Sequence, residues 1–523
     1  MHFVDCLFTF YFSKEVLCYC LILIFNIVKK LLLLNKAILL LCLLFGISVF
    51  SQVGIGTVTP EASSVLDVFS TTQGMLFPRL TTAQKTAIAN PANGLMVYDT
   101  DLNAICYYKT GAGWGELSSS TRSNYKIIKS TDVLATVLAS EKAAGGGSKY
   151  LLDTNTLYEI NGTINLDFPI ELNNSYLVGE DSGEDKIIKA SGDLFVGTTG
   201  GAIKVLTLTA TAGKVFNIAG GGTQNLIFRD AVVASSSNVG VLDNFALVFV
   251  STVQYVGNTT GIVYKDMGKL LISNAAWFGN NLGTYEKLEG TFGSFEKLGG
   301  FSDVYGAAVG LDVSSNPTIT GDSVLESVVF TGTLTTGKYV NGYTVGSYSG
   351  YNFNNNWNVR CTGIPTEGDS FATGSLYDSN NTLASRTTAT TLNQGYKVVT
   401  NATATNNLFR VSSGTSGRLT YVGKKARVFQ VNASVSFVES SVGNNTKYLF
   451  YIAKIASDGT TVTALPATET YLDTNSGFVQ AFPIMGTVQL NANESVEVYL
   501  KRITNPSQAK INIDVYSLNM SIK

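Results

Sequence analysis

Short apolar runs recur through the middle of this chain at intervals of roughly 20 to 25 residues, and this spacing constrains the fold more than any other feature. The clearest runs are Ile203–Leu208, Leu226–Phe228, Leu247–Val250 and Leu270–Ile272, and turns rich in Gly, Asn, Ser and Thr separate them. One such repeat cannot bury its apolar face alone, so successive repeats must stack into a continuous core. The region from residue 118 to 360 is therefore predicted to form a right-handed parallel β-helix with turns of variable length.

The carboxy-terminal region has a different pattern, in which apolar and polar residues alternate. Phe429 and Val431 alternate with Gln430 and Asn432, and a similar alternation runs through 511–516. Alternation of this kind places one face of a strand on a core and the other in solvent. Residues 388–523 are predicted to form an antiparallel jelly-roll sandwich, joined to the coil by a junction at 361–387, so the fold class is all-β.

The first 51 residues are predicted to direct export. Basic residues up to Lys36 precede an apolar run from Ala37 to Phe50, and the small residue Ser51 follows, which is the order of a secretory signal peptide. Cleavage after Ser51 would leave no stable membrane span and would place the protein outside the cell or on its outer surface. The alternative is an uncleaved anchor, for which the apolar stretch reaches roughly 20 residues only by continuing through Lys29 and Lys30.

Charge balance and the scarcity of reactive side chains exclude several classes of function. Loss of residues 1–51 removes four lysines and two acidic residues from the 36 basic and 38 acidic residues of the chain, which leaves 32 against 36. This acidic balance argues against nucleic acid as a partner, because binding to phosphate needs a basic surface. The only histidine, His2, lies in the removed segment. Of six cysteines Cys106 and Cys361 would remain, either bridged or as buried thiols, in no metal-binding spacing. No catalytic, cofactor-binding or metal-binding residue is predicted.

A small separate module is predicted from residue 52 to 117. Its motifs are Val53–Thr57, Leu66–Val68, Gly74–Lys85 and Pro91–Asp101, followed by Trp114. In order and spacing they resemble the amino-terminal module of exported surface proteins of Bacteroidetes bacteria, a pattern that also occurs in phage tail-fibre-like proteins. The resemblance implies placement on a cell surface or a fibre, without an enzymatic role.

Local signals inside this module favour structural interpretations. Thr82–Ala89 is the best helix candidate in the chain, since a threonine can cap its start and Asn90-Pro91 can end it. Arg79 is interpreted as the boundary of a strand, and Asp99 and Asp101 as turn residues.

Two further resemblances concern the coil and the head. Asn173–Glu180 resembles an early rung of pectate-lyase-like β-helices, and Asn-rich turns of such coils can stack their side-chain amides. Gly417–Tyr421, Arg427–Phe437 and Val488–Leu500 resemble the jelly-roll heads of tumour-necrosis-factor-like and complement-like proteins and of phage tail-fibre tips. Such heads are typically homotrimers, so the resemblance implies a homotrimer here. The candidates for faces buried around its axis are Phe429, Tyr448, Phe450 and Tyr499.

Catalysis on the coil is an alternative, because parallel β-helices also host polysaccharide lyases and glycosidases that use paired carboxylates. The acidic candidates are Asp193, Asp230, Asp243 and Asp266, whose spacing does not force any two together.

Two other acidic patterns have structural interpretations. Glu367 and Asp369 would suit a cation only with further oxygen ligands and are interpreted as an exposed turn. The echo of Glu286–Gly290 in Glu296–Gly300 is interpreted as hairpin or rung repetition.

The sequence therefore favours a non-enzymatic, secreted adhesin or fibre-like protein that binds carbohydrate or another cell-surface ligand through a multivalent trimeric head. The alternatives are a polysaccharide lyase or glycoside hydrolase that acts on the coil face, and a phage-derived receptor-binding tail-fibre protein.

Overall fold

The computed structural model describes residues 14–44, 52–117, 123–378, 385–440, 446–474, 477–504 and 511–523. The chain is about half strand. It divides into two compact units, Met1–Thr121 and Arg122–Lys523.

The first unit opens with the α-helix Lys14–Leu44. Within it, Cys18–Leu41 is long and apolar enough to cross a membrane, and a signal sequence near an amino terminus has the same properties. The helix continues through Lys29 and Lys30 without a break, which the anchor alternative requires and a signal sequence also allows. The predicted cleavage position, Ser51, lies outside the described residues.

The rest of the first unit is built from short strands and one capped helix. The predicted helix is confirmed at Thr82–Thr86, where Thr81 accepts a hydrogen bond from the backbone N–H of Gln84 and the Gln84 side chain accepts one from Thr81. This reciprocal pair satisfies two amide groups that a helix start leaves free. Two strands form a parallel pair, Val53–Ile55 and Leu66–Val68. Four form a second sheet: Arg79–Leu80, Met96–Asp99, Ala104–Lys109 and Gly113–Glu116.

The predicted β-helix is confirmed as a parallel coil of about eight turns in the second unit. Two short helices, Leu134–Val137 and Ala139–Ala144, lie beside its first turns. Its strands are Tyr125–Lys129, Tyr150–Leu151, Leu157–Asn161, Thr163–Asn165, Ile170–Glu171, Tyr176–Val178, Lys186–Lys189, Phe195–Gly197, Gly201–Lys204, Thr207–Ala210, Lys214–Ala219, Asn225–Ala234, Asn238–Val256, Ile262–Ser273, Ala276–Trp277, Thr284–Leu298, Phe301–Asp303, Val309–Asp312, Thr318–Ile319, Ser323–Thr331, Lys338–Asn341 and Trp357–Thr362.

Residues with left-handed backbone form corners between the faces of this coil. Asn244 and Asp266 have φ angles of 55° and 50° and occupy adjacent rungs. Non-glycine residues rarely adopt this conformation, and its use here bends a long strand from one face of the coil to the next. Val241 therefore lies on a different face from Phe249, although both belong to the strand Asn238–Val256.

A ladder of buried amides closes another corner. Asn258 and Asn281 are each 1% exposed, and the Asn258 side chain donates to Asn281 Oδ1 at 2.9 Å. Asn281 in turn donates to the backbone oxygen atoms of Tyr255 and Phe278, both at 2.7 Å. The stacking expected of Asn-rich turns is thus present, and it satisfies backbone groups that the turn removes from solvent.

The predicted antiparallel sandwich is confirmed at the carboxy-terminal end, with two short 3-10 helices, Asp369–Phe371 and Pro466–Thr468. The sandwich also includes the strand Thr373–Asp378, which precedes residue 388, the position at which the sequence pattern places its start. One sheet contains Thr373–Asp378, Ser385–Ala389, Thr403–Phe409, Arg427–Glu439, Gln480–Leu490 and Ile511–Ile522. The other contains Gly395–Lys397, Val411–Ser412, Leu419–Tyr421, Lys447–Ile455, Val462–Ala464, Thr470–Asp473 and Ser495–Arg502.

The core of this head is complete within one chain. Phe429, Tyr448 and Phe450 are 0% exposed and pack in a single cluster between the two sheets. Their proposed place at an interface between copies is therefore wrong, because a side chain already buried in its own chain offers no surface to another copy. Tyr499 is partly exposed and packs at the edge of a smaller cluster around Leu449 and Tyr451.

Candidate functional sites

The coil aspartates singled out in the sequence are held by neighbouring donors. Asp193 accepts hydrogen bonds from the backbone N–H of Lys214 and the side-chain amide of Asn217, both at 2.8 Å. Asp230 pairs with the adjacent Arg229 at 2.7 Å. These contacts fix turns on the outside of the coil.

The structure does bring Asp243 and Asp266 together, around Lys265. The Lys265 ammonium lies 2.9 Å from Asp243 and 3.8 Å from Asp266, and Asp266 also accepts from the backbone N–H of Thr291. The hydrogen bond to Asp243 raises the pKa of Lys265. A glycosidase leaves its two carboxyl groups free to flank a sugar bond, whereas here Lys265 contacts both of them. Among the described residues, no group of three or more His, Cys, Asp or Glu residues suits a metal ion.

The junction between coil and head is held by a buried ion pair. Arg410, 2% exposed, donates to Asp369 and to the backbone oxygen of Trp357, in the last coil strand. The second carboxylate oxygen of Asp369 accepts from the backbone N–H groups of Lys424 and Lys425 at 3.1 and 2.7 Å. Asp369 therefore joins the coil end to the head, and its interpretation as an exposed turn residue is wrong.

Glu367 lies beside this pair and is also buried, at 1% exposed. Its two oxygen atoms accept from the backbone N–H groups of Asn352 and Phe353, at 2.8 and 2.9 Å. Burial raises the pKa of the Glu367 carboxyl to about 7, although these two hydrogen bonds and the nearby Arg410 favour the ionised form. The exposed-turn interpretation is wrong here as well, because backbone N–H groups occupy the oxygen atoms that were considered for a cation.

A second buried ion pair lies inside the coil. Glu286 and Lys297 contact each other with side chains 2% and 0% exposed, and the buried side chains of Tyr255 and Tyr264 lie nearby. Glu286 and Lys297 belong to the two echoed motifs. The single strand Thr284–Leu298 contains the whole first motif and the first three residues of the second, and both motifs pair with the same preceding strand, Ile262–Ser273. Their interpretation as a hairpin or as successive rungs is therefore wrong.

The small module contains a third buried pair. Lys85 lies 2.6 Å from Asp99 and donates to the thiol of Cys106 at 3.4 Å. Although burial opposes ionisation, the bond from Lys85 and the backbone N–H groups of Leu102 and Asp101 hold the pKa of Asp99 far below its usual value. Asp99 thus organises the turn that follows its strand, as predicted. Both Cys106 and Cys361 are free thiols; Cys106 is buried and Cys361 is partly exposed.

The outer face of one head sheet forms a shallow depression of about 400 Å³. Tyr377 and Met485, 39% and 61% exposed, lie on it among small uncharged residues such as Asn432, Ser434 and Asn519. Strand register places these side chains side by side across four strands, from Tyr377 through Asn519 and Ser434. Such a face suits contact with another protein surface or with neutral ligands.

The sequence did not reveal Arg410, which joins the coil to the head, or the exposed face that Tyr377 and Met485 form on the head. Arg410 lies between the strands Thr403–Phe409 and Val411–Ser412, and nothing in the local sequence pattern distinguishes it from an exposed arginine. Tyr377 and Met485 are separated by more than one hundred residues, so only the sheet register brings them to one face.

Residues 54–131 match the family model described as the phage tail like trimerisation region. The match ends within the first coil turn, just after the strand Tyr125–Lys129. No curated protein matches the chain.

Several solved structures are similar to this chain at low identity. The tailspike protein of Acinetobacter phage vB_ApiP_P1 covers 85% of this chain and 99% of its own, at 9% identity and a TM-score of 0.26. The tailspike protein of Acinetobacter baumannii phage AM24 covers 82% and 91%, at 12% identity and a TM-score of 0.25. Eiger TNF from S. frugiperda covers 27% and 90%, at 10% identity and a TM-score of 0.18. With its matched trimerisation region, its coil and its sandwich, the chain has a phage tail-fibre-like architecture.

Proposed function

We propose that this protein is a secreted, trimeric fibre that binds carbohydrate or another cell-surface ligand. The observation that carries the proposal is the match of residues 54–131 to a trimerisation region, followed in the same chain by a long parallel coil and a sandwich head. Three heads on one fibre raise the effective concentration of each binding site, so weak single contacts give strong attachment.

The exposed face of the head supports a contact between copies. Tyr377 and Met485 present apolar surface without any charge that another copy would have to neutralise. Replacement of both by aspartate is expected to weaken the trimer, because it would bring like charges together in a contact of low dielectric. Tyr471, 64% exposed on the other sheet, provides the matched control as Tyr471→Asp.

Light scattering after size-exclusion chromatography tests the assembly on the chain from residue 52 onward. A mass of three chains that the Tyr377→Asp/Met485→Asp variant lowers, and that Tyr471→Asp leaves unchanged, is the expected result. A single-chain mass for the unchanged protein would refute the proposal.

A glycan array tests the ligand. Charged residues make up only 14% of the chain, and neutral polar side chains supply most of its polarity, which suits sugar hydroxyl groups better than a strongly charged partner. Binding that disappears on deletion of residues 373–523 is expected for recognition by the head, whereas hydrolysis of a bound polysaccharide would favour the enzyme alternative.

The match to a phage tail like region also favours the second candidate, a receptor-binding fibre of phage origin. The two candidates differ in export. Recovery of the protein outside the cell, with residue 52 at its amino terminus, is expected for the secreted fibre, and accumulation of the full chain in the cytoplasm is expected for a phage component.

A further inference from the structure

One outward column of the coil is apolar over its first rungs. Strand register aligns one residue from each rung in the order Tyr125, Leu157, Tyr176, Ala202, Ile227, Phe249 and Leu271, and these residues are called the outer ridge.

Members of the outer ridge other than Ala202, which is 3% exposed, are at least partly exposed on the outside of the coil. Phe249 lies between Val248 and Val250, which are 0% and 1% exposed, so alternation places Phe249 on the outer surface. Tyr176 is 44% exposed, and it lines, with Leu157, a groove of about 460 Å³ at the start of the coil. Outward positions of a coil are ordinarily polar, because water covers them, so an apolar column over consecutive rungs indicates a surface that is covered in the working protein.

We infer that the outer ridge is the contact along which the coils of three copies pack side by side, an inference that rests on the proposed trimer. The occupant is another copy because the matched trimerisation region ends at residue 131 and therefore contains Tyr125, the first residue of the ridge. A contact between copies that includes Tyr125 can continue along the outer ridge, because all residues of the ridge lie on the same face of the coil.

The spacing of the ridge supports the same occupant. Rungs are about 4.8 Å apart, so the ridge is a straight strip with one side chain per rung. A second copy presents a strip with an identical repeat, and a threefold axis brings the three strips together along one line.

The contact has a definite end. Beyond Leu271 the column continues as Glu296, Val324 and Asn358. Three copies of Glu296 around one axis would repel each other. The coils therefore touch as far as the rung of Leu271 and separate before that of Glu296.

Photo-cross-linking in cells that produce the full chain tests this contact. The photoreactive p-benzoylphenylalanine replaces Phe249, or, as a matched control, Val263. Val263 is also partly exposed and belongs to the neighbouring rung, but it lies on the other side of the Asn244 and Asp266 corner, in a column that continues into Lys287. Cross-linked products are separated by denaturing electrophoresis and their joined peptides are identified by mass spectrometry.

The expected result is covalent dimers and trimers from position 249, joined to ridge residues of another copy, with at least a tenfold lower yield from position 263. Cross-links of position 249 that stay within one chain, that equal those of position 263, or that join a polysaccharide or another protein would overturn the inference. A trimeric mass by light scattering together with any of these outcomes would leave the proposed trimer intact, whereas a monomeric mass would overturn both.

Discussion

A rise in pH from 5 to 8 is expected to destabilise the junction between coil and head through Glu367. In the folded chain burial raises the pKa of this carboxyl from 4.5 to about 7. Between these two values the folded state keeps a proton that the unfolded state has lost. Stability is therefore complete at pH values below the unfolded pKa and decreases as the pH rises through the folded one.

The pKa difference sets the size of the effect. Each pH unit between the two values corresponds to about 1.4 kcal/mol, so ionisation of Glu367 costs about 3 kcal/mol of unfolding free energy. Histidine is the side chain that ordinarily titrates in this range, and the sequence contains only His2. The carboxylates with lowered pKa, such as Asp458 at about 2, change charge only at lower pH, where their protonation destabilises the folded state.

Urea unfolding of the chain from residue 52 onward at pH 5, 6.5 and 8 measures the effect, with Glu367→Gln as the control. Glutamine is close in shape to the protonated side chain and has no charge to gain. Its amide nitrogen cannot accept from a backbone N–H, which lowers the stability of this variant at every pH, but that stability is expected to stay level between pH 5 and 8. The explanation is refuted if the unchanged protein is as stable at pH 8 as at pH 5, or if the variant shows the same decrease.

Three further substitutions test the buried polar contacts, each by urea unfolding at pH 7. Lys297→Met leaves the buried Glu286 carboxyl without its partner and is expected to cost about 3 to 5 kcal/mol, whereas Glu286→Leu/Lys297→Met is expected to recover most of that loss. If Lys297→Met has the same stability as the unchanged protein, water reaches the Glu286–Lys297 pair. Arg410→Met is expected to cost a similar amount, because it leaves Asp369 without its buried cation, and equal stability would contradict the role of this pair in the junction. Asn281→Ala is expected to cost about 1 to 3 kcal/mol for each backbone group it leaves unsatisfied, and a loss below this range would indicate that water replaces the amide.

The architecture could be predicted from the sequence because its signals are local and periodic. Apolar runs such as Leu247–Val250 show the repeat of the coil, and the alternation around Phe429 shows the strands of the sandwich. The same patterns cannot show which buried face meets which partner. Phe429 satisfies the requirements for an interface and for a core equally well, and only the packing of two complete sheets places it in the core.

The polar contacts were harder to predict, because they depend on residues that are distant in sequence. Glu367 and Asp369 have the composition of a surface turn, and their burial follows from the position of Arg410, about forty residues later in the chain. The outer ridge was hard to predict for the same reason, because its members are distant in sequence. They become neighbours only when the length of every coil turn is known.

The strand Ile511–Ile522 determines when the head can form during synthesis. It lies inside its sheet, between Thr373–Asp378 and Arg427–Glu439, and pairs with both. Coil rungs contact near neighbours in sequence and can form one after another as the chain emerges. The head sheet has to wait for its last strand, so the strand edges of Thr373–Asp378 and Arg427–Glu439 stay open while the intervening residues are made. A cell that produces this protein must keep those edges from pairing with other chains until residue 522 has left the ribosome.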